Sequence, residues 1–403
     1  MTEKIYYKFI QFALGTYEGK EFLDGSALQG FDWQRFYAFA KKQTLAGIVM
    51  DGISRLPKEV APKLGLLRNW FIMSQNIRRQ NMMMNVATAE IYNKVKAAGY
   101  DCCILKGQAN AAMYANPAAR TPGDVDMWVD ASREEIRQLA QTLAKENGRI
   151  DEESYNHIAL TTNDISVELH YTPGFMANFT YNRRLQQWFR DSIAEQCRNM
   201  IVLPDEAGEV AAPTAAFNTV YQLYHLYHHY FYEGVGLRQV VDYYYGMWNV
   251  ECGMWNEECG VKNSSLDNSS SQAKPRTTQH STFNIQHSLT RLGLWHFAGA
   301  MMYVLHEVLG LPEEKMIAPM DRKRGEMLLN DILCGGNFGH HDERHAWGRD
   351  TYDGNGFKHG ALGHNLLRLH RDLRLLRYYP SEALSEPVFR LWHYYWRWKI
   401  HQS

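Results

Sequence analysis

The chain has 403 residues, with 43 Lys and Arg against 44 Asp and Glu, a formal charge of −1. No global positive field is present to attract nucleic acid, and no apolar run reaches the ~18 residues a membrane helix needs. A composition of 45% hydrophobic and 22% charged residues is that of a globular protein rather than a disordered one.

In chain order, residues 1–95 read as an N-terminal helical region. Phe31, Trp33, Phe36, Phe39 and Ala40 recur at helical spacing, as do Leu45, Ile48, Val49 and Ile53. Leu56-Pro57 breaks the pattern. A long helix is expected from Leu64 through Lys96, with Met82, Met83 and Met84 serving as adaptable core packing. Ala97-Ala98-Gly99 supplies its stop.

From 96 to 204 the period changes to that of an α/β core. The spacing predicts strand 100–106, helix 107–115, strand 124–130 and helix 132–147, the last capped by Asp130-Ala-Ser-Arg-Glu-Glu. Tyr155 to Tyr171 reads as a hairpin with two possible loops. If Thr162-Asn163 is the loop, His157 faces Glu168; if Asn163-Asp164 is the loop, His157 faces His170. Strand parity keeps His157, Glu168 and His170 on one face in either register.

Residues 205–403 read as a C-terminal helical region. Ala215 to Tyr232 is rich in His and aromatic residues, Gly234-Val-Gly236 interrupts it, and Leu237 starts another helix. Met247-Trp-Asn-Val-Glu-Cys-Gly253 is nearly repeated at 254–260, and a polar run follows. Residues 247–283 are therefore expected to be a low-complexity insertion, with helix resuming at Leu289. A basic helix from Leu366 to Tyr379 carries Arg368, Arg371, Arg374 and Arg377, a stripe expected to be a solvated face. An aromatic helix, Val388 to Ile400, is expected to bury Trp392, Tyr395, Trp396 and Trp398.

The chemistry concentrates around Lys106-Gly107 and Gly123-Asp124-Val-Asp126. Residues i and i+2 of a strand share a face, so Asp124 and Asp126 stand side by side. Two such acids repel unless a cation lies between them, and Mg²⁺ suits carboxylates and phosphates together. Glu168 adds a third acid on another strand, and a glycine at a helix start lets backbone N–H groups approach a phosphate.

These residues resemble the uncharacterised nucleotidyltransferases of the DNA polymerase β-like superfamily. The resemblance is carried by Leu105-Lys106-Gly107, Tyr114, Arg120, Gly123-Asp124-Val-Asp126, His157, Val167-Glu168-Leu-His170, Gly236-Leu-Arg238-Gln239 and Asp242. It implies an α+β fold, a small polymerase β-like sheet flanked by helical regions. It implies NMP transfer from an NTP to a hydroxyl or phosphate acceptor (a small molecule, a protein or RNA), with Asp124, Asp126 and Glu168 catalytic and holding two Mg²⁺. Lys106, Gly107, Arg120, His157, Arg238 and Gln239 are the implied nucleotide-binding residues. Where superfamily members often have Gly-Ser, this chain has Lys106-Gly107-Gln108.

Other readings stand beside this one. A non-catalytic nucleotide-binding or partner-binding module would keep the same fold. Arg120 clamps a phosphate or orders the linker from Gly107 to Asp124. Arg238 and Asp242 bridge each other or face substrate. His225, His228 and His229 share a helix face and line a pocket or pack in the core. His340, His341, Asp342 and His345 fall in a Gly- and His-rich polar loop. Six scattered Cys do not make a disulfide scaffold, and the N-terminus lacks an apolar signal core, so a reduced, cytoplasmic, bacterial-type protein is expected.

Overall fold

A computed structural model describes residues 2–145, 148–252, 278–339 and 361–400. The duplicated segment beyond Cys252 and the 340–345 histidine cluster lie outside the described residues. The fold is α+β and helix-rich, as expected.

The N-terminal helices are Thr2–Leu14, Trp33–Lys42, Ala46–Ile53 and Leu64–Ala97. Their helical-period aromatics Phe9, Phe36 and Trp70 are fully buried, together with Phe22 of the short helix Lys20–Leu23. The long helix Leu64–Ala97 ends where Gly99 adopts a φ of 91°, a conformation that costs glycine nothing. Of Met82, Met83 and Met84 only Met84 is in the core; Met82 and Met83 are exposed, which corrects the packing expected for them. Its inner face instead carries buried Asn81, Asn85 and Thr88.

Five strands form the main sheet: β1 (Cys102–Ile104), β2 (Val125–Val129), β3 (Gly148–Glu153), β4 (His157–Thr162) and β5 (Ile165–His170). Their order is β1-β2-β5-β4-β3. β2 and β5 are parallel, and the other neighbours are antiparallel. The β4–β5 loop is Asn163-Asp164, both with positive φ, as a tight hairpin turn demands. His157 therefore pairs with His170 and Ala159 with Glu168. β3 was not expected. It is polar and mostly exposed, and charged residues of that kind blunt a sheet edge.

The helix expected over 107–115 is only Gln108–Ala111. Its side chains are tied elsewhere: Gln108 donates to Asn85 and Asn110 accepts from Gln222 at 2.6 Å. Pro117 then holds the next turn, since the residue before a proline is disfavoured in helix. A helix at Phe179–Gln196 and a two-stranded sheet, β6 (Met200–Val202) with β7 (Glu209–Ala211), were also not foreseen.

The C-terminal helices are Ala215–Tyr232, Leu237–Cys252, Thr278–Arg291, Trp295–Leu309, Arg322–Gly335, Ala361–Leu375 and Pro380–Ile400. Helix thus resumes at Thr278, before Leu289. One hydrophobic cluster runs through both helical regions and the sheet, from Tyr6 to Ala383. Two expectations for the last helices are corrected. Three arginines of the stripe are not solvated: Arg371 donates to the Phe231 carbonyl at 3.0 Å, Arg374 pairs with Asp331 at 2.5 Å, and Arg368 lies over Tyr232, while Arg377 is exposed. The final helix turns Trp392 and Trp396 toward Tyr155, but Trp392, Tyr395 and Trp398 are all exposed.

Candidate active site

β2 and β5 set the site by register. Asp126 lies directly beside Glu168 on the parallel neighbour, and Asp124 precedes β2 on the same face. One oxygen from each of Asp124, Asp126 and Glu168 falls within 4.8 Å of the others. Ala159, opposite Glu168 on β4, leaves room on that face.

Asp126 is fully buried. Its Oδ1 meets Lys106 Nζ at 3.1 Å and His170 Nε2 at 3.2 Å. Its Oδ2 is buried with no hydrogen-bond partner among the described residues. His170 also reaches Glu168 Oε2 at 3.2 Å, so one imidazole bridges two carboxylates. Burial works against its charge, but hydrogen bonds and attraction from Asp126 and Glu168 push His170 up to about 9. Burial would raise Glu168; the His170 hydrogen bond and nearby positive charge bring it down to about 2. Burial also opposes the Lys106 charge, which Asp126, Asp124 and Glu168 hold above its ordinary range. His157 sits 3.6 Å from Glu168; burial and the adjacent His170 push it down to about 4.

Gly107 has φ 65° and ψ −116°. A Cβ there would lie 2.9 Å from the Asp124 carbonyl oxygen. The Lys106-Gly107 turn can lie against the Asp124 backbone because this residue has no side chain.

A small cavity opens beside these groups. Lys106, Gly107, Asp124 and Asp126 form one side; Arg120, Arg238, Gln239 and Asp242 form the other, and His225 and Phe338 also line it. Arg120 and Asp242 are both nearly fully buried. Arg120 donates to both Asp242 oxygens, Nε at 2.7 Å and Nη2 at 2.9 Å, and Tyr114 donates to Oδ1 at 2.5 Å. Arg120 Nη1 is left without a partner among the described residues. Arg238 Nη1 stands 3.7 Å from Asp242; burial and the neighbouring Arg120 lower its affinity for the proton. Gln239 Oε1 accepts from the Gly236 amide at 2.7 Å, fixing the start of its helix.

The structure thus gathers Lys106, Gly107, Arg120, Asp124, Asp126, Arg238 and Gln239 around one cavity, with Glu168 and His157 on the adjoining strands. His228 is elsewhere, packed on Phe175 and Tyr232. The bridging role of His170 was missed. Its shared parity with Glu168 was the available signal. Asn81 was missed as well: its Nδ2 donates to the carbonyls of Arg120 at 2.6 Å and Ala118 at 3.2 Å, so the long helix holds the linker ahead of Asp124. No local pattern announces that contact.

Among the described residues, two groups have donors close enough for a metal ion: Asp124, Asp126 and Glu168, and His157, Glu168 and His170. The all-oxygen set suits a hard cation such as Mg²⁺, whereas imidazoles suit softer ions. A family model described as uncharacterised nucleotidyltransferase matches residues 29–256, more than half of the chain. The chain belongs to this uncharacterised nucleotidyltransferase family. No curated protein and no solved structure matches it. The match takes in every residue around the cavity except Phe338, and it includes the long helix that carries Asn81.

Proposed function

We propose that this nucleotidyltransferase moves a nucleoside monophosphate from an NTP to a hydroxyl or phosphate acceptor and releases pyrophosphate, with two Mg²⁺ held by Asp124, Asp126 and Glu168. One observation carries the reading: three carboxylates converge, and one buried oxygen of Asp126 has no hydrogen-bond partner among the described residues. An unpaired buried carboxylate oxygen costs free energy, and a divalent cation at that point offsets it. The donor set is all oxygen, as Mg²⁺ requires. When bound, the metal ions supply Lewis-acid activation and neutralise developing charge on the phosphates.

The chain's own residues do the rest. Lys106 and His170 pair with Asp126, and His170 also with Glu168, which holds both carboxylates in place to ligate. Arg238 and the Nη1 of Arg120, which has no partner among the described residues, offer donors to a triphosphate entering the cavity; arginine suits phosphate because its planar fork matches the oxygens. Asp242 and Tyr114 fix the angle of that fork. Gly107 lets the nucleotide-side turn approach the Asp124 backbone closely. His157, held neutral, gives the nucleotide a hydrogen-bonding edge rather than a charge. The unpaired Cys102, Cys103 and Cys197 are buried, which fits a reducing compartment.

The test is pyrophosphate release with each of the four NTPs and Mg²⁺, with a cell extract as acceptor source, for wild type and Asp126→Asn in parallel. Release with one NTP that vanishes in the variant is the expected result. Metal-dependent NTP binding without release leaves a binding module, and no binding by wild type rejects the reading.

A further inference from the structure

The helix Ala215–Tyr232 carries a group that the proposed chemistry has not used. His225 and His229 are four apart on one face of this helix, and Glu233 caps its end. His225 Nε2 lies 2.8 Å from His229 Nε2, and His229 Nδ1 lies 2.8 Å from Glu233 Oε2. One end, His225, lines the cavity with Lys106, Asp124 and Asp126. The other end reaches water: the Glu233 side chain is 53% exposed. His229 between them is buried, its ring against Phe338. The result is a hydrogen-bonded path from the cavity to solvent.

We infer that His225 is the base that accepts the proton of the acceptor group, and that His229 and Glu233 carry that proton out of the cavity. This rests on the nucleotidyltransferase reading. The two distances support it, and one choice of tautomers gives the path its outward direction. Glu233, an anion, accepts from His229 Nδ1–H. The Nε2 of His229 then bears a lone pair and accepts from His225 Nε2–H. His225 is left with a lone pair on Nδ1, the nitrogen not engaged by His229. Burial and the nearby Lys106 charge keep His225 neutral, the state a base must start from. The imidazolium formed in that setting is short-lived, and a path to Glu233 gives its proton somewhere to go. Glu168 is a poorer base, since it is committed to His170 and to the metal.

The step balances. The acceptor oxygen forms a bond to the α-phosphorus while the bond from that phosphorus to the α–β bridging oxygen breaks, and its electron pair leaves with pyrophosphate. The acceptor proton goes to His225 Nδ1. The Nε2 proton of His225 passes to His229 Nε2, the Nδ1 proton of His229 passes to Glu233, and Glu233 releases it to water.

The experiment uses the full chain, the NTP and the extract of the pyrophosphate assay. His225→Ala is expected to lower kcat about 100-fold, the lower end of what removing a general base costs. The affinity for the Mg²⁺–NTP, measured by calorimetry, stays unchanged, and added imidazole restores part of the turnover. Glu233→Gln keeps an acceptor oxygen for His229 but takes up no proton, and kcat is expected to fall about tenfold. His228→Ala, off the path, leaves kcat unchanged. His225→Asn serves where the alanine variant does not fold. Unchanged kcat in the His225 variants, or nucleotide affinity lost in step with turnover, overturns the inference alone. A wild type that turns over no NTP overturns it together with the reading on which it rests.

Discussion

Asp242→Asn is the sharpest test of how the cavity is held. The Asp242 carboxylate receives two hydrogen bonds from Arg120 and one from Tyr114, and both charged groups are almost completely buried. Each bond to a charged acceptor is worth about 1.5–3 kcal/mol, but the three share one desolvation cost and do not simply add. Breaking a buried pair by removing one partner costs about 3–5 kcal/mol, because the surviving charge is left in a low-dielectric site. Here Arg120 and Arg238 both lose their counter-ion, while Asn keeps one acceptor oxygen; a loss of about 3 kcal/mol is expected from urea unfolding. The double variant Arg120→Leu with Asp242→Leu removes both charges and is expected to recover most of that loss, since apolar replacements of buried pairs are often neutral. A loss below about 1 kcal/mol for Asp242→Asn, or a double variant that costs the sum of the two single changes, would refute the coupling.

Gly107→Ala forces a side chain into a positive-φ position and against the Asp124 carbonyl. It is expected to cost about 1–3 kcal/mol and to weaken Mg²⁺ binding; unchanged unfolding and metal titrations would reject the close approach. Asn81→Ala frees the carbonyls of Ala118 and Arg120 and is expected to cost about 1–3 kcal/mol, read as a lower urea midpoint; a midpoint equal to wild type would mean the linker needs no such clamp. Glu382 is buried and accepts from the Ala177 and Asn178 amides; burial pushes it up from 4.5 to about 7. Its neutral form is therefore favoured on folding, so its contribution is fully present below pH 4.5 and is lost as pH rises through 7, by about 3 kcal/mol. Glu382→Gln never ionises and is expected to flatten that decline; equal changes in melting temperature between pH 5 and pH 8 in both proteins would contradict the assignment.

The carboxylates were legible because strand parity is a local rule. Asp124, Asp126 and Glu168 need only the positions of two strands to fall on one face, and the register of β2 on β5 put them side by side. The hairpin register was not legible, because Thr162-Asn163 and Asn163-Asp164 are both acceptable loops; the positive φ of Asn163 and Asp164 decides it. The role of Arg120 turned on a partner in a helix far along the chain. β3 escaped because it lies on an edge and has no apolar alternation to detect. The last helix shows the opposite failure: its dense aromatics read as core, but Trp392, Tyr395 and Trp398 are exposed.

The buried charges also bear on whether the 96–204 segment is a unit in its own right. One wall of the cavity, Lys106, Asp124 and Asp126, belongs to that segment, and Glu168 and His170 compensate it from within. Arg120 belongs to it as well, but its counter-ion is Asp242 in the helix Leu237–Cys252, and its carbonyl is held by Asn81 in the helix Leu64–Ala97. Cutting the chain at 96 and 204 removes both, along with Arg238. The isolated segment would then bury a guanidinium with no partner, or expose it and let the linker before Asp124 come loose. A fragment of residues 96–204 is accordingly expected to bind Mg²⁺–NTP far more weakly than the full chain and to lose amide protection from Gly107 to Gly123 in hydrogen exchange. Full affinity in the fragment would mean that the acidic wall alone organises the site and that the arginine wall serves only packing.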